Sequence, residues 1–253
     1  MRIAALSALL LLTVACGDGF GEVQKMDTIA GYEEFLANNN PDRNTLLQAT
    51  TRLEELYLEK AKADGTLESY DAYLEKFPEG RLREKAVGER EEFLFDWAKR
   101  EDTTASWKQW LDEYPRGDKD RKATARMGIE VATYRDKIVL GATVFEEINM
   151  AEDPQGEKDG WAWRIDVTNN TDTAIRKLDI TMVFLGADGG AVERKKWPVV
   201  TENWGIPMPD EFYGQLEVGQ TRTWEWTEAR KRLPKDYDPS KTTAKMSSIY
   251  FVK

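Results

Sequence analysis

Two stretches decide the fold: Tyr70-Asp-Ala-Tyr73-Leu74-Glu-Lys-Phe77-Pro78-Glu-Gly80 and Trp107-Lys-Gln-Trp110-Leu111-Asp-Glu-Tyr114-Pro115-Arg-Gly117. In each, large apolar residues fall at i, i+3, i+4 and i+7, which places them on one face of a helix. The two copies are 37 residues apart, and an earlier copy begins at Tyr32-Glu-Glu-Phe35-Leu36. Residues 28–135 therefore form a repeat with a period of 37 to 38. Thr28, Thr66 and Thr103 stand four residues before the first aromatic of each copy, where a hydroxyl can accept from orphan backbone N–H groups. Pro41, Pro78 and Pro115 end each first helix, because the residue before proline avoids the α region.

A second helix follows in every copy. Leu46, Ala49, Leu53, Leu56 and Tyr57 share a face, as do Leu82, Ala86, Phe93 and Trp97, and then Ala123, Met127, Val131 and Tyr134. Ala49, Ala86 and Ala123 recur at a strict spacing of 37, the place where paired helices would cross closely. Two amphipathic helices per unit, each covering its neighbour's apolar face, is the logic of a solenoid. The aromatic stripe then reads first as core.

The aromatic-x-x-aromatic-Leu-x-x-aromatic-Pro-x-Gly run and the later alanine resemble the tetratricopeptide-like repeats of bacterial envelope lipoproteins, including the assembly lipoprotein of the outer-membrane barrel machinery. The resemblance spans residues 28–135. The first copy departs from the pattern at Asn38-Asn39-Asn40-Pro41, where a polar edge suits a terminal, capping repeat. The resemblance implies a scaffold that binds proteins or peptides.

From about Ile138 the period changes to two. Trp161, Trp163, Ile165 and Val167 alternate with polar or small residues, as do Leu178, Ile180, Met182 and Phe184. Further strands are expected at 138–147, 191–200, 220–227 and 244–252. Asn169-Asn170-Thr171-Asp172-Thr173 reads as a turn and Asp188-Gly189-Gly190 as a tight hairpin. The fold class is thus α+β in two domains, helical hairpin repeats and then an all-β sandwich. The Asn-rich turn, the Asp-Gly hairpin and Leu216-Glu-Val-Gly219 before an aromatic strand resemble the immunoglobulin-like accessory domains of bacterial envelope proteins. That resemblance implies a non-catalytic module.

The first sixteen residues carry one charge, Arg2, then an apolar run from Ile3 to Val14, then Ala15 and the sole cysteine, Cys16. This is the anatomy of a secretory signal. Thr13-Val14-Ala15-Cys16 resembles the lipobox of bacterial lipoproteins, which implies cleavage after Ala15 and a lipid on Cys16. The run is too short to span a bilayer, since twelve helical residues cover about 18 Å of a core about 30 Å thick. The division expected is a signal peptide over 1–15, a tether over 16–26, repeats over 27–135 and a sandwich over 136–253. In the enterobacterial lipoproteins that this segment resembles, Asp directly after the cysteine signals inner-membrane retention, so Gly17 implies the outer membrane over the inner.

The chain has no histidine and a formal net charge of −10. Absent histidine, Ser-His-Asp arrangements and zinc sites built from His and Cys are ruled out. An acidic surface repels phosphate backbones, so no nucleic acid is expected as a partner. Arg230-Lys231-Arg232 with Lys235 is the most basic patch and reads as a solvated loop. The acidic runs lack calcium-loop spacing and no phosphate loop is present, so no catalytic residue, metal or cofactor is expected. Trp161, Trp163, Trp197, Trp204, Trp224 and Trp226 all lie in the second half, and the strand pairs read as packing between sheets. The irregular segment 201–214 differs, and Trp204, Met208, Phe212 and Tyr213 form the candidate binding group. The expected role is a non-enzymatic, membrane-anchored scaffold that contacts the bilayer through Cys16 and binds another envelope protein. The alternatives are a glycan-binding lipoprotein using exposed tryptophans and, last, a carboxylate-based hydrolase with two acids in an open cleft.

Overall fold

A computed structural model describes residues 19–150, 158–202, 213–238 and 241–253. Among these, seven helices precede seven strands, all paired antiparallel, so the chain is α+β in that order. It divides into two compact units, Met1–Leu94 and Phe95–Lys253.

The first unit holds α1 (Phe20–Met26), α2 (Ile29–Asn38), α3 (Arg43–Asp64), α4 (Leu67–Lys76) and the start of α5 (Arg83–Glu101). The segment 16–26 was expected to be a tether, yet most of it is α1, with Phe20 and Val23 buried against Tyr32, Phe35, Ala49 and Leu53. The threonine caps form as the sequence expects. Thr28 Oγ1 accepts from Gly31 N–H at 3.1 Å and Thr66 Oγ1 from Ser69 N–H at 3.2 Å. Tyr70, Tyr73 and Ala86 are buried together with Leu58 and Ala61, so the aromatic stripe is core.

A carboxylate helps to close the second hairpin. Glu54 of α3 is 6% exposed and accepts from the Tyr73 hydroxyl at 2.8 Å and from Leu82 N–H at 2.6 Å. Gly80 leaves the room it needs, because a Cβ there would stand 2.5 Å from Glu54 Oε1. A buried carboxylate is tolerated when such donors replace water.

The second unit contains the rest of α5, α6 (Thr104–Glu113), α7 (Lys119–Tyr134) and every strand. Thr103 Oγ1 caps α6 by accepting from Ser106 N–H at 3.1 Å. Asp27 and Asp102, at φ 45° and 48°, hold the left-handed position just before a capping threonine. Gly65, at φ 58°, does the same before Thr66. Each carboxylate offsets its backbone strain with partners: Asp27 takes Arg52 Nε at 2.9 Å and Nη2 at 2.8 Å, and Asp102 takes the Trp107 indole N–H at 3.1 Å.

The alanine register fails in the third copy. Ala49 and Ala86 are fully buried, but Ala123 is exposed, and Ala125 and Gly128 lie inside instead. The physical reason is that α7 has two apolar faces. Gly128 receives the Trp107 ring of α6, while Met127, Val131 and Tyr134 join the core of the sheets. Tyr134 meets Phe251 edge to face at 4.6 Å.

The strands are β1 (Ile138–Leu140), β2 (Val144–Ile148), β3 (Gly160–Asn169), β4 (Ile175–Leu185), β5 (Ala191–Val200), β6 (Thr221–Ala229) and β7 (Thr243–Phe251). The strand expected over 138–147 is broken in two, and at the break Gly141 N–H donates to Asp166 O at 2.8 Å. In one sheet β3 pairs with β6 and with β1 and β2; in the other, β4 lies between β5 and β7. Alternation along β3 and β4 sends Trp163, Ile165, Val167, Ile180, Met182 and Phe184 into a shared core. Asn169, fully buried, closes the following turn: its Nδ2 donates to Thr173 O and Leu216 O at 3.0 Å, and its Oδ1 accepts from Thr171 Oγ1 at 2.7 Å.

Candidate functional site

The chemistry of the second unit gathers at one end of β4. Gly186 N–H donates to Gly190 O at 2.8 Å, and Gly189 takes φ 83°, a left-handed turn that a side chain would strain. Asp188 Oδ1 accepts from Gly190 N–H at 2.9 Å. The chain returns alongside: Gly186 bridges to Tyr237, Asp238 N–H donates to Leu185 O at 2.8 Å, and Lys241 Nζ donates to Ala187 O at 2.6 Å. Between the two segments opens a cleft of about 590 Å³ lined by Gly186, Ala187, Asp188, Val192, Lys235, Asp236 and Tyr237. Its volume lies within the range of small-molecule sites.

Beneath the cleft the Tyr237 ring meets Phe184 edge to face at 5.3 Å, and Phe184 meets Trp163 at 5.9 Å. The Tyr237 hydroxyl, the Trp163 indole N–H and the Thr242 hydroxyl are all buried and adjoin one another. Burial pushes the Tyr237 phenol above its ordinary pKa, and its side-chain hydrogen bonds with Thr242 and Trp163 act the other way.

The strand tryptophans form a cluster between the sheets. Trp226 stacks on Trp163 at 4.6 Å and meets Trp197 at 4.1 Å, while Trp224 lies 6.0 Å from Trp197. Trp163 is fully buried and Trp224 is 4% exposed. Trp163 and Trp224 are core, as their alternation suggested, while Trp197 and Trp226 are half-buried and pack against it. The basic patch is split: Arg230 pairs with Glu147 and Arg232 with Glu228, beside a second cleft, whereas Lys235 lines the first.

Cys16, Trp204, Met208 and Phe212 lie outside the described residues. Tyr213 is described and is 39% exposed. Among the described residues, no cluster of metal-ligating side chains occurs and no helix is long and apolar enough to cross a membrane. Two acids, Asp188 and Asp236, do line the open cleft. Sequence reasoning missed Tyr237 and Thr242. The Asp-Gly-Gly hairpin marked one wall of the cleft, but nothing in the chain pairs Tyr237 with a tryptophan 74 positions earlier.

No family model matches the chain, and neither does any curated protein. Among the solved structures that match, two are similar at a low level. One is a structural-genomics target, SoR45, with a TM-score of 0.28 and 9% identity, covering 47% of this chain and 88% of that one. The other is the Pseudomonas fluorescens alkylpurine DNA glycosylase AlkC bound to DNA containing an abasic site analog. Its TM-score is 0.30 and its identity 11%, and the match covers 79% of this chain and 54% of that one.

These findings correct three expectations. Membership of the tetratricopeptide-like lipoproteins and of the immunoglobulin-like accessory domains falls, since short aromatic spacings and Asn- or Gly-rich turns follow from packing and are shared by unrelated chains. With it falls the support that the family lent to an envelope-protein partner and a bilayer contact. The statements that the chain is no enzyme and meets no nucleic acid also fail as exclusions. Net charge and missing histidine remove particular arrangements only; carboxylate chemistry and local basic surfaces remain open. At a TM-score of 0.30 nothing of that enzyme's activity is carried over.

Proposed function

We propose that the chain works as a scaffold held at a membrane of the bacterial cell envelope, which binds another protein beside that membrane. The observation that carries this reading is the run Met1–Cys16, a charged residue, an apolar stretch and a single cysteine at the cleavage point. The start of α1 at Phe20 supports it: four residue steps separate Cys16 from a packed helix, a reach of at most about 14 Å. The body would therefore stay close to the lipid surface. The contact group is Trp204, Met208, Phe212 and Tyr213, because aromatic side chains dominate protein interfaces, and Tyr213 is exposed. The rival reading, a glycan platform on the strand tryptophans, lacks support from Trp163 and Trp224, whose rings are buried.

The test has two arms. Mass spectrometry of the mature protein should find the chain beginning at Cys16 with added acyl mass, and Cys16→Ser should release it from sedimented membranes. A photo-crosslinking residue at Tyr213 should capture one protein in cells, and Trp204→Ala should weaken that adduct. An unmodified sulfur, or Cys16→Ser protein that still sediments, would defeat the tether.

A further inference from the structure

The outer face of the sheet formed by β5, β4 and β7 carries a charge that runs against the rest of the chain. Register fixes which side chains share that face. Thr181 of β4 lies between Lys196 of β5 and Lys245 of β7, Val183 lies between Arg194 and Thr243, and Lys177 stands opposite Tyr250. The four cations are exposed, while Ile180, Met182 and Phe184 alternate with them into the core. Asp179 is the carboxylate of this face. It is 5% exposed, accepts from the Ser248 hydroxyl at 2.6 Å, and holds Lys196 at 3.1 Å and Lys177 at 3.7 Å. Arg194 and Lys245 make no ion pair among the described residues. At the Ile175 end, Arg176 and Glu202 add one charge of each sign beside Tyr250. Four cations less Asp179 leave the face at +3, in a chain with 46 acidic and 36 basic residues. The outer face of the other sheet has the opposite sign: Glu146, Asp166 and Glu225 outnumber Arg164, which pairs with Glu146 and Glu225.

Lysine on an edge strand guards against edge pairing, but either sign of charge serves that purpose. It does not explain one sign at four positions spread over three strands. The cations stand on a pleated surface and do not ring a groove. Lys196 and Lys245 are two strand spacings apart, about 9–10 Å, and Arg194 is one pleat repeat, about 7 Å, from Lys196. Single-stranded nucleic acid calls for a groove with stacking platforms, whereas the Tyr250 ring sits at the rim with Lys177 Nζ 5.9 Å from its centre. Such a spread fits a flat anionic surface. The acid elsewhere does not cancel the attraction, because packed sheets stand about 10 Å apart and the screening length in physiological salt is about 8 Å.

We propose that this face rests on anionic lipid headgroups. The inference deepens the membrane reading above and rests on it for the presence of a lipid surface, but it needs no acyl chain. About 1 kcal/mol for each of three net cations corresponds to a preference of about a hundredfold for an anionic over a neutral bilayer. Binding of that size is reversible, which suits a face that orients a body whose lasting hold on the membrane lies elsewhere.

The test uses the chain from residue 16 onward, which keeps every described residue, with Cys16→Ser so that no acyl group contributes. Sedimentation is compared with vesicles of phosphatidylcholine alone and of phosphatidylcholine with about one-third phosphatidylglycerol, in physiological and in high salt. Saturable binding to the anionic vesicles is expected, about a hundredfold tighter than to the neutral ones and lost in high salt. Arg194→Gln combined with Lys245→Gln, which leaves the Asp179 contacts whole, should weaken it about thirtyfold. Arg194→Lys, which keeps the charge, should bind as the parent does, and so should Lys231→Gln combined with Lys235→Gln, a charge-matched change on another surface. Urea midpoints equal to the parent's show that the fold is kept. Equal binding to both kinds of vesicle overturns the proposal, as does an Arg194→Gln, Lys245→Gln protein that binds as the parent does. A chain that takes up a polyglutamate peptide or a single-stranded oligonucleotide but no vesicle also overturns it, since the face then serves a soluble polyanion. These results stand whatever mass spectrometry finds at Cys16, so a failure here and a failure of the tether are told apart.

Discussion

Replacing Gly128 by alanine should destabilise the second unit by about 2–4 kcal/mol, although alanine is the better helix former. Gly128 sits in α7 against Trp107. A Cβ there would lie 2.2 Å from Nε1, 2.4 Å from Cε2 and 2.7 Å from Cδ1 of the indole. Ordinary contact needs about 3.5–4.0 Å, so the ring would have to withdraw by more than about 1 Å. It has little room to do so. Trp107 is 3% exposed, its edge faces Phe95 at 5.8 Å, and its N–H is committed to Asp102 at 3.1 Å. Overpacking costs about 1–3 kcal/mol, and loosening a buried bond to a carboxylate adds about 1.5–3, against about 1 kcal/mol gained in helix propensity. Gly88 in α5 provides the contrast, since a Cβ there meets nothing within 4 Å. Gly88→Ala should stabilise by about 0.5–1 kcal/mol. Urea unfolding followed by tryptophan fluorescence, with far-UV circular dichroism alongside, compares both variants with the parent. Opposite shifts of the midpoint are expected. If Gly128→Ala matches or exceeds the parent, the close crossing of α6 and α7 at Trp107 is wrong.

The remaining expectations are smaller in scope. Glu54→Ala strips partners from the buried Tyr73 hydroxyl and Leu82 N–H and should cost about 2–5 kcal/mol in chemical unfolding; Tyr73→Phe, which leaves the Leu82 bond, should cost clearly less. Thr66→Ala and Thr103→Ala should each lower stability by about 1 kcal/mol, and glycine at the same positions by only a few tenths. The acid limb of the stability profile should follow Asp27, whose pKa is held low by its hydrogen bonds to Arg52. A depressed carboxylate contributes stability that is present above its unfolded pKa of about 4 and is lost as pH falls through the folded value. Asp27→Asn should flatten that limb. On the alkaline side, burial raises the Tyr73 and Tyr237 phenols. Their contribution is intact below about pH 10 and is lost as pH rises through the folded values, so urea midpoints should fall there and fall less in Tyr73→Phe.

Much of this fold could be read before any coordinates. Thr28, Thr66 and Thr103 cap where their spacing said they would, because a cap needs only a hydroxyl and the next turn of backbone. Trp163 to Val167 and Leu178 to Phe184 are strands with the expected inward faces, because alternation is a property of the local pleat. The left-handed Asp27 and Asp102 were invisible, since their strain is offset by Arg52 and Trp107 from elsewhere in the chain. The cleft was half visible: Asp188-Gly189-Gly190 announced a turn, but Tyr237 and Thr242 sit in an irregular segment with no period to read.

What the sequence alone determined is therefore local: which residues share a helix face, where each helix starts and stops, and which side of each strand turns inward. These follow from backbone geometry within one or two turns of the chain. Tertiary structure decided what each face meets. The Met127, Val131 and Tyr134 face of α7 meets the sheets rather than another hairpin, Ala123 yields its place to Ala125 and Gly128, and Tyr237 comes to rest beside Trp163. A period tells which side chains travel together; only the packing of distant segments, settled by shape and by apolar area removed from water, tells what covers them.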